Sequence, residues 1–274
     1  MTTTRGIAAA IAFALPILAG AAVTARAQSA EAPRRVIDRP WVGARYDLDA
    51  VTGLDAWQEL TAEVAQPVGD AMLIARVREA RRFGLYGTQV EGEAYPHLGP
   101  LTYLYLGVAG SSSSDVYPTL RLNGEVYREL PAAWEVSLGG RHARTPLVRL
   151  NTITGTVARY MGNWWLSARP SYTSYSGEHA RALSGVARRY FSGRYDYASM
   201  TLTASAGADP EARDPLRLAR AETLHGWAAH IERLRPLGER LRLRYGVGYE
   251  REEQAAGGTR EHRTLVVGAD WVMP

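Results

Sequence analysis

Residues 240–250, Arg-Leu-Arg-Leu-Arg-Tyr-Gly-Val-Gly-Tyr-Glu, alternate strictly between two kinds of side chain. Leucine, valine and tyrosine occupy one parity, and arginine, glycine and glutamate occupy the other. Successive side chains of a β-strand point to opposite faces, so this stretch predicts a strand with one apolar and one charged face. An apolar face that carries tyrosines, opposite a row of arginines, is typical of a transmembrane barrel strand with lipid outside and a polar interior.

The same alternation recurs from Trp41 to the end of the chain, with clusters of glycine, proline, asparagine or aspartate between the runs. The runs number about 14, and each has roughly the 9 to 11 residues that a tilted membrane strand needs, or slightly more. They are 41–51, 57–66, 72–82, 87–95, 101–110, 119–130, 134–144, 151–160, 164–173, 180–191, 195–206, 223–234, 240–251 and 262–273. We therefore expect an all-β fold, a closed antiparallel transmembrane β-barrel of about 14 strands, with about 12 as the alternative if two weaker runs merge.

The connections between these runs differ in length on the two sides of the predicted barrel. In outer-membrane barrels the periplasmic turns are short and the external loops are longer. The even-numbered connections are tight, as at 69–70 and 131–133, whereas most odd-numbered ones are longer, as at 145–150, 174–179 and 207–222. This sorting predicts an even number of strands and places both chain termini in the periplasm.

The first residues form a segment separate from the barrel. A short basic start at 1–5 precedes an apolar run, and Ala-Arg-Ala at 25–27 has the small-x-small pattern that signal peptidase recognises. We expect residues 1–27 to be a cleaved signal peptide, with an uncleaved membrane anchor as the alternative. Residues 28–40 are expected to be a flexible lead-in, and residues 41–274 the outer-membrane barrel domain.

The composition excludes several classes of function. The chain has 32 basic and 28 acidic residues, a net charge of +4, and loss of Arg5 and Arg26 with the signal lowers this to +2. No contiguous basic patch accompanies it, so nucleic-acid binding is not indicated. The basic residues are all arginine, a side chain suited to multidentate pairing with carboxylates in a confined space. Without cysteine there is no disulfide or thiol chemistry.

The polar parities of the predicted strands carry many charges of both signs. Charges inside a barrel are tolerated when they are paired and hydrogen-bonded. We interpret them as arginine–carboxylate pairs that brace and largely fill the interior; the alternative is a charged constriction that selects a solute. The central pairing is expected among Glu125, Glu135, Arg141 and Arg169. The full candidate set is Glu91, Glu93, Arg121, Glu125, Glu135, Arg141, Arg169, Arg242 and Arg244.

Signatures of catalysis are weak. A hydrolase acting on lipid or glycolipid needs a nucleophile beside a base. His230 lies two residues from Glu232 on one face, whereas His142 lies near Ser137 but on the opposite parity. The sequence has no Gly-x-Ser-x-Gly elbow, no His-Glu-x-x-His helix and no pair of histidines at metal-ligand spacing. We therefore predict no catalytic residue, cofactor or metal, and keep a membrane-embedded hydrolase as the second hypothesis and a soluble ligand-binding β-sandwich as the third.

Several stretches resemble the YaiO family of outer-membrane β-barrel proteins. They are Glu-Ala-Tyr-Pro (93–96), Gly-Glu-Val-Tyr-Arg-Glu-Leu-Pro (124–131), Trp-Glu-Val-Ser-Leu-Gly-Gly-Arg (134–141), Tyr-Met-Gly-Asn-Trp-Trp-Leu-Ser-Ala-Arg-Pro (160–170) and Ala-Arg-Arg-Tyr-Phe (187–191). The resemblance implies an outer-membrane barrel and supplies no catalytic residues to carry over.

Together these features predict an integral outer-membrane protein of a Gram-negative-type cell that is not an enzyme. Its expected role is structural, or the passage or export of a small or saccharide solute. The expected partners are outer-membrane lipid, the barrel-assembly machinery during insertion, and that solute.

Overall fold

The computed structural model describes residues 39–112, 116–146, 148–207, 225–253 and 258–274. These residues form 14 antiparallel β-strands that close into a barrel. In chain order the strands are β1 Trp41–Val51, β2 Trp57–Val68, β3 Ala71–Arg82, β4 Leu85–Gly99, β5 Thr102–Ser111, β6 Leu120–Leu130, β7 Trp134–Arg144, β8 Arg149–Met161, β9 Trp164–Tyr175, β10 Glu178–Tyr190, β11 Tyr197–Ala206, β12 His225–Leu237, β13 Leu241–Glu253 and β14 Thr259–Val272. A short 3-10 helix, Pro131–Ala133, joins β6 to β7. The predicted barrel of about 14 strands is confirmed, and the 12-stranded alternative is wrong.

The predicted signal peptide, residues 1–27, and most of the predicted lead-in, residues 28–40, lie outside the described residues. The proposed division of the chain at these points therefore stays a prediction. Within the described ranges, no helix has both the length and the apolar composition needed to cross a membrane.

Pairing between the first and last strands closes the barrel. β1 and β14 pair continuously, from Trp41 opposite Val272 to Val51 opposite His262. Because the number of antiparallel strands is even, both ends of the barrel chain lie at the same rim, which we name the terminus end; the opposite rim is the loop end. Closure leaves no free sheet edge, which is the condition for a sheet surrounded by hydrocarbon.

Large apolar side chains cover the outside of the barrel. Leu138 and Ile153 are 68% and 64% exposed, and in β13 the outward Tyr245 and Val247 are exposed while Arg242 is buried. A water-soluble protein buries such a face, and here the described strands form one closed sheet with no second sheet packed over it. The β-sandwich hypothesis is therefore wrong, and the apolar parity is the lipid-facing surface.

The height of the apolar surface matches a membrane. On the outer face of β8, Arg149 and Arg159 mark the two ends of a stretch that includes Ile153 and Val157. At about 3.4 Å per residue and a tilt of about 40°, the interval between the two arginines spans about 25 Å along the barrel axis. This is the height of the apolar band of an outer-membrane barrel.

One connection is shorter than its sequence suggested. The stretch 174–179 was expected to be one of the longer loops, but β9 and β10 extend to Tyr175 and Glu178, and only Ser176 and Gly177 join them. Both residues have positive φ, 46° and 85°, which is the backbone of a type I′ hairpin turn. The Ser-Gly pair was the local signal for this turn. The length difference between the two rims is consequently smaller than predicted.

A charge in the middle of the outer band will destabilise the barrel. Leu138→Arg should lower the free energy of unfolding by about 2–4 kcal/mol, because the guanidinium moves from water into hydrocarbon on folding. Leu54→Arg is the matched control, since Leu54 is also exposed but lies in the connection between β1 and β2. Denaturant titration in lipid vesicles measures both variants. Equal losses at the two positions would contradict a lipid-facing band.

Candidate functional site

The inward faces of β1–β6 and β12–β14 carry most of the interior charges, and we name this sector the charged half. Its hub is Glu91, whose side chain is only 4% exposed. Arg121 Nη2 and Arg78 Nε lie 3.1 and 3.2 Å from its two carboxylate oxygens, and Arg76 Nη1 lies at 3.7 Å. Three arginines from two strands, β3 and β6, thus converge on one buried carboxylate.

The strand register explains this convergence. Arg76 in β3 lies directly opposite Glu63 of β2 on one side and Glu91 of β4 on the other. Arg76 Nε is 2.7 Å from Glu63, and its Nη1 is 2.8 Å from Glu93. Glu93 also accepts hydrogen bonds from Tyr95 at 2.9 Å and from Tyr105 at 3.1 Å. Opposite charges placed directly across the ladder stabilise the sheet and neutralise one another away from water.

A second group of ion pairs crosses the closing strands. Arg45 of β1 lies 3.5 Å from Glu232 of β12, and Arg244 of β13 lies 3.5 Å from the same carboxylate. Arg244 also lies 3.8 Å from Asp270 of β14. Nearer the loop end, His262 Nδ1 of β14 lies 2.7 Å from Asp49 of β1. These side chains link β12 to β1 inside the barrel, in addition to the backbone pairing.

Apolar or aromatic groups cover the charged half at both rims. At the terminus end, Trp41, Ala65, Met72, Ile74 and Val272 form a buried cluster. At the loop end, Tyr117 folds inward from the β5–β6 connection and donates a hydrogen bond of 3.0 Å to Glu59. Burial raises the pKa of the Tyr117 hydroxyl above its ordinary value, and the nearby Glu59 charge adds to the effect. The charged half is therefore covered over much of both rims, as the bracing interpretation requires, and its most exposed ion-paired side chain is Arg45 at 34%.

The opposite wall is different in chemistry. The inward side chains of β8–β11 are mostly small and hydroxyl-bearing, and we name them the hydroxyl wall: Thr152, Thr154, Thr156, Ser167, Ser171, Thr173, Ser184, Ser199, Thr201, Thr203 and Ser205. Two pairs of them hydrogen-bond across strands, Thr152 to Thr173 at 2.8 Å and Ser184 to Thr203 at 2.9 Å. Small side chains leave space where the charged half is filled.

A cavity of about 170 Å³ lies against this wall. Its lining includes Thr152, Arg169, Thr173 and Ser184 of β8–β10, and Tyr105, Asn123, Glu125 and Arg141 of β5–β7. Arg169 Nη2 lies 2.5 Å from Glu125, yet the Arg169 side chain is 38% exposed although it points into the barrel. An inward arginine with this exposure faces an open, water-accessible interior.

Of the four residues expected to form the central pairing, two pair with each other and the other two have partners outside the set. Glu125 and Arg169 pair with each other, and Ser137 also donates a hydrogen bond to Glu125. Glu135 instead accepts a hydrogen bond of 3.0 Å from Tyr103, while Arg141 donates one of 3.1 Å to Asn123. Of the other candidates, Glu91, Glu93 and Arg121 belong to the group of ion pairs around Glu91. Arg244 belongs to the group across the closing strands. Arg242 lies apart from both, with its guanidinium 3.8 Å from the ring centre of Tyr195.

Two features of the interior were missed from the sequence. The inward tyrosines hold the carboxylates, as Tyr103 does for Glu135, and Tyr103 stacks on Tyr127 at 4.6 Å. The residues of the hydroxyl wall are recognisable in the sequence as serines and threonines at the polar positions of β8–β11. They carry no charge, so the sequence gave no reason to expect a functional role for them. Both depend on which strands face each other across the lumen.

The serine and histidine of β7 that were considered for a hydrolase, Ser137 and His142, do not lie side by side as a nucleophile and a base. Ser137 points inward to Glu125, whereas His142 lies on the outer face with its Nδ1 2.8 Å from Asn151. His230 points inward and its ring packs against the backbone of Gly248. In the described part of the chain, no group of three or more His, Cys, Asp or Glu residues is placed to hold a metal ion.

A second cavity, of about 300 Å³, opens at the terminus end. It is lined by the β10–β11 turn, including Tyr195 and Asp196, and by Arg242. A hydrogen bond from Ser192 holds the pKa of the Asp196 carboxyl below its ordinary value, and the ion pair with Arg233 acts in the same direction. This rim therefore presents charged and aromatic groups around the cavity.

A closed barrel with an apolar exterior and an interior of paired charges and hydroxyls defines the class of outer-membrane β-barrel proteins. Residues 41–212 match the family described as the YaiO membrane beta barrel domain. The chain belongs to the YaiO family, which confirms the resemblance seen in its sequence. No curated protein is significantly similar to the chain.

Solved structures share this fold at low sequence identity. A bacterial polysaccharide outer membrane secretin aligns with a TM-score of 0.55 and 12% identity, covering 86% of this chain and 99% of that chain. The CymD monoaromatic hydrocarbon channel aligns with a TM-score of 0.55 and 5% identity, covering 86% and 88%. OpdQ of Pseudomonas aeruginosa aligns with a TM-score of 0.50 and 7% identity, covering 86% and 99%. At these identities the likeness concerns the fold alone.

Removing the hub carboxylate will destabilise the charged half. Glu91→Gln should lower the free energy of unfolding by about 3 kcal/mol, because buried arginines lose their counter-charge. Glu178→Gln, at an exposed position at the start of β10, is the matched control and should change stability by less than about 0.5 kcal/mol. Denaturant titration in vesicles tests the pair. A neutral Glu91→Gln would mean that the cluster does not brace the barrel.

The Asp196 contacts predict a small pH dependence at the terminus end. Because the folded-state pKa of Asp196 is lowered, its ionised form stabilises the fold above the ordinary carboxylate range, and this contribution is lost as pH falls through the lowered pKa. Asp196→Asn should therefore cost less than about 1 kcal/mol at neutral pH, as for other exposed pairs. The difference from the parent protein should shrink as the pH falls below the ordinary carboxyl value of about 3.9. Unfolding titrations over a series of pH values from neutral to acidic check this; a constant difference would refute it.

Proposed function

We propose that the barrel is a non-enzymatic outer-membrane channel in which solute passes along the hydroxyl wall while the charged half serves as a fixed structural brace. The observation that carries the proposal is the exposure of Arg169 inside the barrel, beside the cavity lined by Thr152, Thr173 and Ser184. The sequence allowed two interpretations of the interior, a structural brace of ion pairs or a constriction that selects a solute. In this proposal both are present, in different sectors of one barrel.

We further propose that the terminus end faces the periplasm and the loop end faces outward. Connections at the terminus end include Gly69-Asp70 and Gly162-Asn163, whereas residues 207–224 separate β11 from β12 at the loop end. Short periplasmic turns and longer external loops are the usual arrangement in outer-membrane barrels. In this orientation the cavity beside Arg242 is the periplasmic mouth.

The solute that fits the hydroxyl wall best is small, polar and rich in hydroxyl groups, as a saccharide is. Each serine or threonine hydroxyl both donates and accepts hydrogen bonds, so the wall can exchange bonds with successive sugar hydroxyls as a solute moves. Asn123 and Glu125 of β6, and Arg169 within β9 itself, supply further donors and acceptors around the cavity. The likeness of fold to a polysaccharide outer membrane secretin agrees with this solute class.

Filling the cavity will test the pathway. Ser184→Trp places an indole in the cavity of about 170 Å³ and should lower single-channel conductance in planar bilayers by roughly half or more, because conduction depends on the open cross-section. Leu183→Trp adds the same ring to the outer face of the same strand, where Leu183 is exposed, and should leave conductance unchanged.

Two outcomes would contradict the proposed channel. Folded parent protein without measurable conductance would exclude an open pathway, and equal conductance in the two tryptophan variants would exclude a route along β10. Heat-modifiable gel mobility of each variant, compared with the parent protein, shows that the barrel is folded before recording. Flux of neutral oligosaccharides into vesicles then tests the solute class separately from ion conductance.

A further inference from the structure

Two arginines face each other on the outer surface at the loop end. Arg144 ends β7, Arg149 begins β8, and the two residues are directly opposite in the strand register. Both are exposed on the lipid-facing parity. Like charges placed directly across a ladder are destabilising, so this placement calls for an anion near the pair.

The surrounding outer surface supplies no such anion among the described residues. The outward positions of β6–β9 contain no aspartate or glutamate over their described ranges. On the neighbouring strand β10, Arg181 adds to the positive charge, and Glu178 has the parity of the inward-facing Ala180. The sector is therefore uniformly basic at this height.

Outward arginines at the terminus end have a different environment. The Arg159 guanidinium lies 5.0 Å from the ring centre of Trp134, and that of Arg189 lies 5.8 Å from Trp164 and 5.3 Å from Phe191. Aromatic faces stabilise these cations within the protein. No aromatic ring holds Arg144 or Arg149 in this way among the described contacts.

Below the arginine pair, the outer face carries the hydrogen-bonded His142 and Asn151 and then a surface that suits an acyl chain. Gly140 and Gly155 occupy outward positions next to the most exposed apolar side chains, with Gly140 opposite Ile153 and Gly155 opposite Leu138. Missing side chains beside protruding ones leave shallow depressions in the apolar band. The arginines lie at the upper limit of that band, where lipid headgroups begin.

We propose that Arg144 and Arg149 bind a phosphate group of an anionic glycolipid in the leaflet at the loop end, with its acyl chains over Gly140 and Gly155. Guanidinium groups bind phosphate oxygens through paired, charge-assisted hydrogen bonds. One doubly charged phosphate between the two side chains would offset the like-charge contact. The glycolipid is preferred to a free anion because the arginine pair lies on the same outer face as the apolar positions of β7 and β8, at the upper limit of the apolar band.

Lipid retention by the folded, full-length mature protein tests this site. Protein in detergent is titrated with diphosphoryl lipid A, and the bound fraction is measured by mass spectrometry of the intact complex. The Arg144→Ser/Arg149→Ser double variant should bind at least about tenfold more weakly, because two charge-assisted contacts are lost. Arg128→Ser/Arg159→Ser removes the same charge from the outer face near the terminus end and should bind like the parent protein.

Each alternative result identifies a different error. Unchanged binding by the Arg144/Arg149 variant, or an equal loss in the Arg128/Arg159 variant, would overturn the assigned site. Displacement of lipid A by inorganic phosphate alone would indicate a free-anion site, and equal retention of dephosphorylated lipid A would exclude phosphate recognition. Heat-modifiable mobility shows that each variant is folded. Conductance does not enter the test, so the result is independent of the proposed channel.

Discussion

A sheet surrounded by hydrocarbon must satisfy every backbone hydrogen bond within itself, and this constraint underlies the whole structure. The continuous pairing of β1 with β14 meets it by removing both edges of the sheet. Closure then divides the side chains into two populations with opposite requirements. The outward parity must be apolar over about 25 Å, and the inward parity must accommodate polar groups around the lumen.

The interior meets its requirement unevenly around the circumference. On one side, Glu91 and Glu93 draw arginines from several strands into a network that is covered at both rims. On the other side, serine and threonine replace the long charged residues, and the Arg169 side chain reaches open space. The proposed function thus assigns stability and passage to different strands. A barrel filled evenly with ion pairs would leave no route, whereas one lined only with hydroxyls would lack the internal cross-links.

The fold was predictable because it depends on local alternation, a property of each strand alone. The bounds of β1 and β7 follow from the sequence pattern without adjustment. The interior was less predictable, because ion pairs depend on which strands adjoin and on register. Glu125 and Arg169 are 44 positions apart in the sequence and meet inside the barrel although β7 and β8 separate their strands. An arginine partner was predicted for Glu135 because the prediction considered charged residues only. The hydrogen bond to Glu135 comes instead from a tyrosine, which carries no formal charge.

The contacts across the closing strands have a consequence for how the barrel forms. Arg45 and Asp49 are near the start of the barrel chain, and their partners Glu232 and His262 are near its end. Attraction between opposite charges acts over longer distances than a backbone hydrogen bond, particularly in a low-dielectric environment. The seam can therefore select its correct register before the two edges touch. Selectivity of this kind would disfavour joining the edges of two separate chains, since a mispaired seam would leave these charges without their counterparts.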